Sequence, residues 1–144
     1  MPGLPAPVLI RSVEPDELDS VLALWARARS AAARTRDSRG RLGHLLASPN
    51  SVLLVAVLER ELVGTLIVGW DGWRGSMYRL AVAPEHRRRG IARRLVDAGH
   101  AHLVGLGATR VGALVGLEED AAGALWRATG YELDEGVGRY VKDL

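Results

Sequence analysis

The chain has 144 residues, enough for one ordinary domain and too few for two independent cores. Hydrophobic residues make up 48% and charged residues 25%, which excludes wholesale disorder. The absence of cysteine excludes a disulfide scaffold, a thiolate metal site and a cysteine nucleophile. The formal net charge is only +2, and Lys142 is the only lysine, so 18 of the 19 basic residues are arginine. Arginine suits bidentate contact with phosphate or carboxylate, but the base composition of GC-rich coding DNA is the plainer cause of the count. Position, not composition, has to identify a phosphate site.

Residues 1–6 read as a loose tail without the charged start and apolar stretch of a secretion signal, so the expected location is cytoplasmic. The longest apolar run, Val52 to Leu58, is too short to span a bilayer. Val8 to Val13 reads as a strand. Pro15 then opens a helix, with Asp16 and Glu17 favouring its dipole and Leu18, Val21, Leu22, Trp25 and Ala28 forming one apolar face. This helix is expected to end near residues 30–33. Arg34 to Gly40 is a polar break, and Arg41 to Leu46 reads as a short helix weakened by Gly43.

Ser51 to Leu58 and Leu62 to Trp70 read as a hairpin turned at Glu59-Arg60-Glu61, and Ser76 to Val82 as a third strand after a turn at residues 71–75. The segment after Ala83 opens a helix carrying Ile91, Leu95, Val96, His102, Leu103 and Leu106 on one side, stopped by Gly105 and Gly107. Arg110 to Val115 reads as a strand and Glu118 to Thr129 as a helix with Ala122, Leu125 and Trp126 inward. Gly130 stops that helix, and two short strands are expected near Tyr131 to Leu133 and Arg139 to Lys142. The order β-α-α-β-β-β-α-β-α-β-β mixes hairpins with one β-α-β crossover and describes an α/β fold on one mixed sheet.

Arg87, Arg88, Arg89, Arg93 and Arg94 crowd the start of a helix, where the dipole is already positive. That placement is unfavourable unless an anion is present. With Gly90 allowing close backbone approach, the segment fits a phosphate cradle; the plainer alternative is a solvated basic face. On the cradle reading, a glutamate at residue 90 should disturb the free protein little, because it favours the dipole. Neither a Gly-Lys-Ser/Thr loop nor G-x-G-x-x-G spacing is present.

The run Tyr78-Arg79-Leu80-Ala81-Val82-Ala83-Pro84-Glu85-His86-Arg87-Arg88-Arg89-Gly90-Ile91-Ala92 resembles motif A of the GNAT superfamily of acyl-CoA-dependent N-acetyltransferases. Ala124-Leu125-Trp126-Arg127-Ala128-Thr129-Gly130-Tyr131 resembles its motif B. The resemblance covers residues 8–141. It implies a single N-acetyltransferase domain over residues 1–144, with a mixed, mostly antiparallel sheet flanked by helices. It also implies acetyl-CoA as co-substrate, with Leu80, Ala81 and Val82 pairing with the pantetheine arm. Arg87, Arg88, Arg89, Gly90, Ile91 and Ala92 would hold the pyrophosphate and the 3′-phosphate.

Acetyl transfer to an amine needs proton removal, in-line placement and a donor for the oxyanion. The resemblance implies backbone N–H donors from the strand at Leu80 to Val82. It also implies a motif B acid at the position held here by Trp126, whose indole donates a hydrogen bond but cannot deliver a proton. A thiol leaving group, with a pKa of about 8.5, departs tolerably without an acid. For the base, Tyr78 acting through a water and Glu119 at the motif B helix start are the candidates. The plainer reading of Tyr78 is pocket lining, and of Glu118, Glu119 and Asp120 dipole partners. Asp71 reads as a turn residue. Trp70 and Trp73 suit an acceptor wall or hairpin packing, and the four histidines show no metal-ligand spacing.

The expected partner is a small-molecule or peptide amine, with no nucleic acid, no membrane and a possible homodimer. A catalytically weak acyl-CoA sensor and, less favoured, a nucleic-acid binder are the alternatives.

Overall fold

The computed structural model describes residues 7–28, 37–116 and 120–144. Among the described residues, five strands form one sheet in the sequential order β1 (Val8–Ser12), β2 (Val52–Leu58), β3 (Glu61–Trp70), β4 (Gly75–Val82) and β5 (Val111–Ala113). Pairing is antiparallel except for β4 with β5. Helices α1 (Leu18–Ala28), α2 (Arg39–Ala47), α3 (Ile91–Gly105) and α4 (Asp120–Ala128) pack around it. Among the described residues, no helix is long and apolar enough to cross a membrane.

Local chemistry accounts for most boundaries. Pro15 to Glu17 form a 3-10 turn before α1, closed by a capping box between Glu14 and Glu17. Arg11 clamps Glu17 through two bonds of 2.7 and 2.9 Å, tying β1 to the start of α1. The Ser38 hydroxyl accepts from the Arg41 N–H and starts α2 two residues before the expected position. Glu59 and Arg60 both take positive φ, the conformation of a two-residue hairpin turn that matches strand twist. Asp71 is the turn residue expected: its carboxylate accepts from the Trp73 and Arg74 N–H groups, which holds its pKa below the usual range.

The core lies between α1, α3 and the sheet. Leu18, Val21, Leu24 and Trp25 of α1 are buried, Leu24 taking the inward place expected for Leu22, which is half-buried beside the core. On α3, Ile91, Leu95, Val96, Gly99 and Leu103 face the sheet. Gly99 lets the helix approach closely, since a Cβ there would stand 2.6 Å from Met77 Cε.

Two expectations about the sheet fail at its far edge. The strand expected over 110–115 pairs only at Val111–Ala113, and the strands expected near 131–133 and 139–142 do not form. Residues 131–144 run without regular structure. Gly136 and Gly138 interrupt them, and Val137, Tyr140 and Val141 are exposed rather than set against a sheet face.

Candidate active site

β4 and β5 pair only from Gly75 to Met77, with one further bond from the Leu114 N–H to the Met77 carbonyl. Beyond that point the two chains part and a cleft of 1150 Å³ opens between them. Tyr78 to Val82 of β4 form one wall, Ala113 to Gly116 the other, and the start of α3 lies at one end. Ala122, Leu125 and Trp126 of α4, with residues 133–135 and 137–139, complete it.

A bulge controls what β4 shows to this cleft. Ile67 faces Tyr78 and Thr65 faces Ala81, so two residues, Arg79 and Leu80, oppose Leu66 alone. Arg79 takes φ +56. Before the bulge, the Met77 carbonyl faces β5; after it, the Ala83 N–H faces β3, bonded to the Val63 carbonyl at 2.8 Å. Residues 77 and 83 would face the same side of an unbroken strand. The bulge reverses the phase, so the backbone groups of Leu80 and Val82 face the cleft and those of Ala81 face β3. Ala81 lines the wall, but its main chain is paired with Thr65, unlike the expectation that all three residues offer backbone to a ligand.

The arginine segment is also not the first turn of a helix. Pro84 to His86 form a 3-10 turn, residues 87–89 are a loop, and α3 begins at Ile91. Arg88 and Gly90 both have positive φ, +63 and +77, and Gly90 is the N-cap with no side-chain cap. The first-turn N–H groups of α3 are therefore not capped by a side chain. The space where a Gly90 Cβ would stand is open, with nothing within 4 Å. Arg87, Arg88, Gly90, Ile91, Ala92 and Arg93 line the cleft.

The five arginines divide by partner. Arg94 donates to the Val8 carbonyl at 2.6 Å and Arg93 to the Ala128 carbonyl at 3.4 Å, bracing α3. Arg89 turns to His86 Nδ1 at 3.4 Å and does not line the cleft. Arg87 makes one long bond, 3.4 Å, to the Val82 carbonyl, and Arg88 is exposed without a hydrogen-bond partner among the described residues.

The catalytic candidates separate likewise. Tyr78 lines the cleft half-buried, and burial raises its pKa. Burial thus favours the neutral phenol. Trp126 lines the cleft at 6% exposure, its ring edge-on to Tyr131 with centroids 4.8 Å apart. Tyr131 OH lies 2.7 Å from His100 Nε2, and burial pushes its pKa up to about 12. Glu118 and Glu119 lie outside the described residues, and of Asp120 only the helical backbone is described. Trp70 packs against the core and Trp73 is 85% exposed; neither lines the cleft.

Sequence reading missed two carboxylates, Asp134 and Glu135, which line the cleft from the irregular C-terminal segment. Local periodicity carries no trace of that placement. The structure also places ligand atoms of Glu61, Glu85 and His86 within 4.8 Å of one another, a grouping that sequence spacing does not show. All three lie near the surface, and Glu85 is already bonded to Arg27 at 3.0 Å.

Comparison with known proteins agrees with this geometry. The family model described as "Acetyltransferase (GNAT) family" matches residues 18–131. An acetyltransferase of Sodalis glossinidius (strain morsitans) is 31% identical over 131 residues, covering 89% of each chain. Among solved structures, the aminoglycoside N-acetyltransferase AAC(6')-Iy in complex with CoA superposes with a TM-score of 0.83 at 16% identity, covering all of both chains. A soil-metagenome aminoglycoside acetyltransferase in complex with sisomicin superposes with a TM-score of 0.78 at 22% identity, covering 95% of this chain and 96% of the other. The chain belongs to the GNAT family of acetyltransferases, enzymes whose acetyl donor is acetyl-CoA.

Proposed function

We propose that this enzyme transfers an acetyl group from acetyl-CoA to a primary amine of a small, cationic acceptor by direct attack on the thioester. The observation that carries the reading is continuity within one cleft. An unpaired stretch of β4 backbone leads to an uncapped helix start flanked by arginines. An extended pantetheine arm would bond to Leu80 and Val82 as a neighbouring strand does. The pyrophosphate would sit on the N–H groups from Arg88 to Ala92, with Arg87 and Arg88 beside it. The open space at Gly90 fits that group, and the anion answers the local excess of positive charge.

The amine nitrogen attacks the carbonyl carbon, the C–S bond breaks, and CoA leaves as thiolate. The Leu80 N–H, turned into the cleft by the bulge, would donate to the developing oxyanion. Neutral Tyr78 would donate a hydrogen bond to the departing sulfur or orient the acceptor. The proton leaves the amine toward a carboxylate, with Glu119, Asp134 and Glu135 the proposed groups. The same acidic residues attract a polyamine-like acceptor, a class that includes the aminoglycosides named for the structural neighbours.

Trp126 in the acid position motivates the second reading, an acyl-CoA-binding module with little turnover. Incubation with acetyl-CoA and a panel of amines, with free thiol followed, decides between them. Amine-dependent thiol release supports the enzyme, and tight CoA binding without release under any amine supports the sensor.

A further inference from the structure

Thr65 is the one buried polar residue in the described core, at 0% exposure, within the apolar run Leu62 to Val68. Its hydroxyl is doubly engaged. It accepts from the Trp25 indole N–H at 2.8 Å and donates to the Arg79 carbonyl at 2.9 Å. That carbonyl belongs to the bulge residue, whose φ of +56 is one that side-chain-bearing residues seldom adopt. The Arg79 side chain is held as well: its guanidinium pairs with Asp37 and lies 4.9 Å over the Trp25 ring.

We propose that Thr65 is a positioning residue for catalysis. By supplying the hydrogen bond that the β3–β4 ladder loses at the bulge, it fixes the phase reversal that turns the Leu80 N–H toward the thioester carbonyl. Trp25 orients the Thr65 hydroxyl, and Asp37 steadies the strained residue from its other end. The sequence of causes is short. Without the bulge, strict alternation gives Leu80 to β3 and leaves the cleft with the N–H of Arg79 instead. A buried threonine at the bulge with no such role would serve stability alone, and the two accounts separate experimentally.

The inference rests on the acetyl-CoA reading above, so its test begins with binding. Acetyl-CoA carrying 13C at the thioester carbonyl is titrated into the wild-type enzyme, and the carbonyl band is read by isotope-edited infrared difference spectroscopy. Wild-type protein that fails to bind acetyl-CoA refutes the function reading itself. With binding established, the band is expected to move to lower frequency than in free acetyl-CoA, reporting the Leu80 donor; an unmoved band overturns the present proposal. Thr65→Val, of the same shape but without the hydroxyl, is expected to lose most of that displacement while retaining CoA affinity within about three-fold. Thr65→Ser is expected to restore it. Val55→Ala, which weakens the core on β2, is expected to leave the band displaced as in wild type. Equal displacement in the valine and wild-type proteins overturns the proposal. Should Thr65→Val not fold, Thr65→Cys replaces it. A thiol is the weaker donor, so an intermediate displacement is expected, and equality with Thr65→Ser overturns the proposal.

Discussion

Replacing Gly90 by alanine tests the phosphate cradle and its backbone at once. Gly90 has φ +77, and a Cβ there meets no atom within 4 Å, so the variant pays for conformation and not for a clash. A non-glycine residue in the left-handed region costs about 1–2 kcal/mol. For a chain of this length that corresponds to a fall in melting temperature of about 3–8 °C. The expectation from sequence, that residue 90 lies in the helix and tolerates substitution by glutamate almost freely, is therefore revised: Gly90→Glu also pays the conformational cost. Open space does not mean idle space, however, since the side chain would project where the pyrophosphate belongs. CoA at 100 times its Kd should add about 2.7 kcal/mol to the wild type, and most of this should vanish in the variant. Gly107→Ala is the control. Its φ is +93, its Cβ would also meet nothing, and it lies just past the far end of α3. It should lose similar stability and keep full affinity. Calorimetric titration of the folded proteins with CoA reads both. Near wild-type affinity in Gly90→Ala and Gly90→Glu would refute the cradle.

Trp126→Tyr should keep the fold and give turnover equal to or above wild type, because a phenol can protonate the leaving thiolate and the indole cannot. A large fall in kcat with both substrates still bound would assign Trp126 a transition-state role that the present account lacks. Glu17 is held below its usual pKa chiefly by its hydrogen bonds with Arg11. A depressed folded-state pKa gives stability that is present above the unfolded value of about 4.5 and is lost as pH falls through the folded value. Glu17→Gln should therefore lower stability at neutral pH and flatten the acid side of the stability profile. A parallel shift of the whole profile would show that the Arg11–Glu17 pair is not the cause.

Strands β1 to β4 and every described helix were legible in the sequence, the strongest signals being the Val52 to Leu58 run and the helical spacing from Leu18 to Trp25. What it lacked was backbone phase. Nothing in Tyr78-Arg79-Leu80 marks Arg79 as left-handed, since the bulge is imposed from β3 and α1 through Thr65 and Trp25. A threonine amid Leu62 to Val68 was the available clue, because a polar side chain in a buried strand needs partners. Asp134 and Glu135 were out of reach for another reason. They come to the cleft by the path of an irregular segment that carries no periodicity. The short β5 and the missing terminal strands show the converse: Leu114 and Val137 are apolar yet exposed, and neither lies in a strand.

The central claim is that acetyl-CoA lies along the unpaired face of β4 with its phosphates at the start of α3. Amide hydrogen exchange with and without CoA tests it most directly. The account predicts new protection at Leu80 and Val82 and at residues 88–92. Ala81 should change little, because its N–H already faces β3. Binding of CoA that leaves the Leu80, Val82 and Gly90 amides exchanging as in the free protein would contradict it.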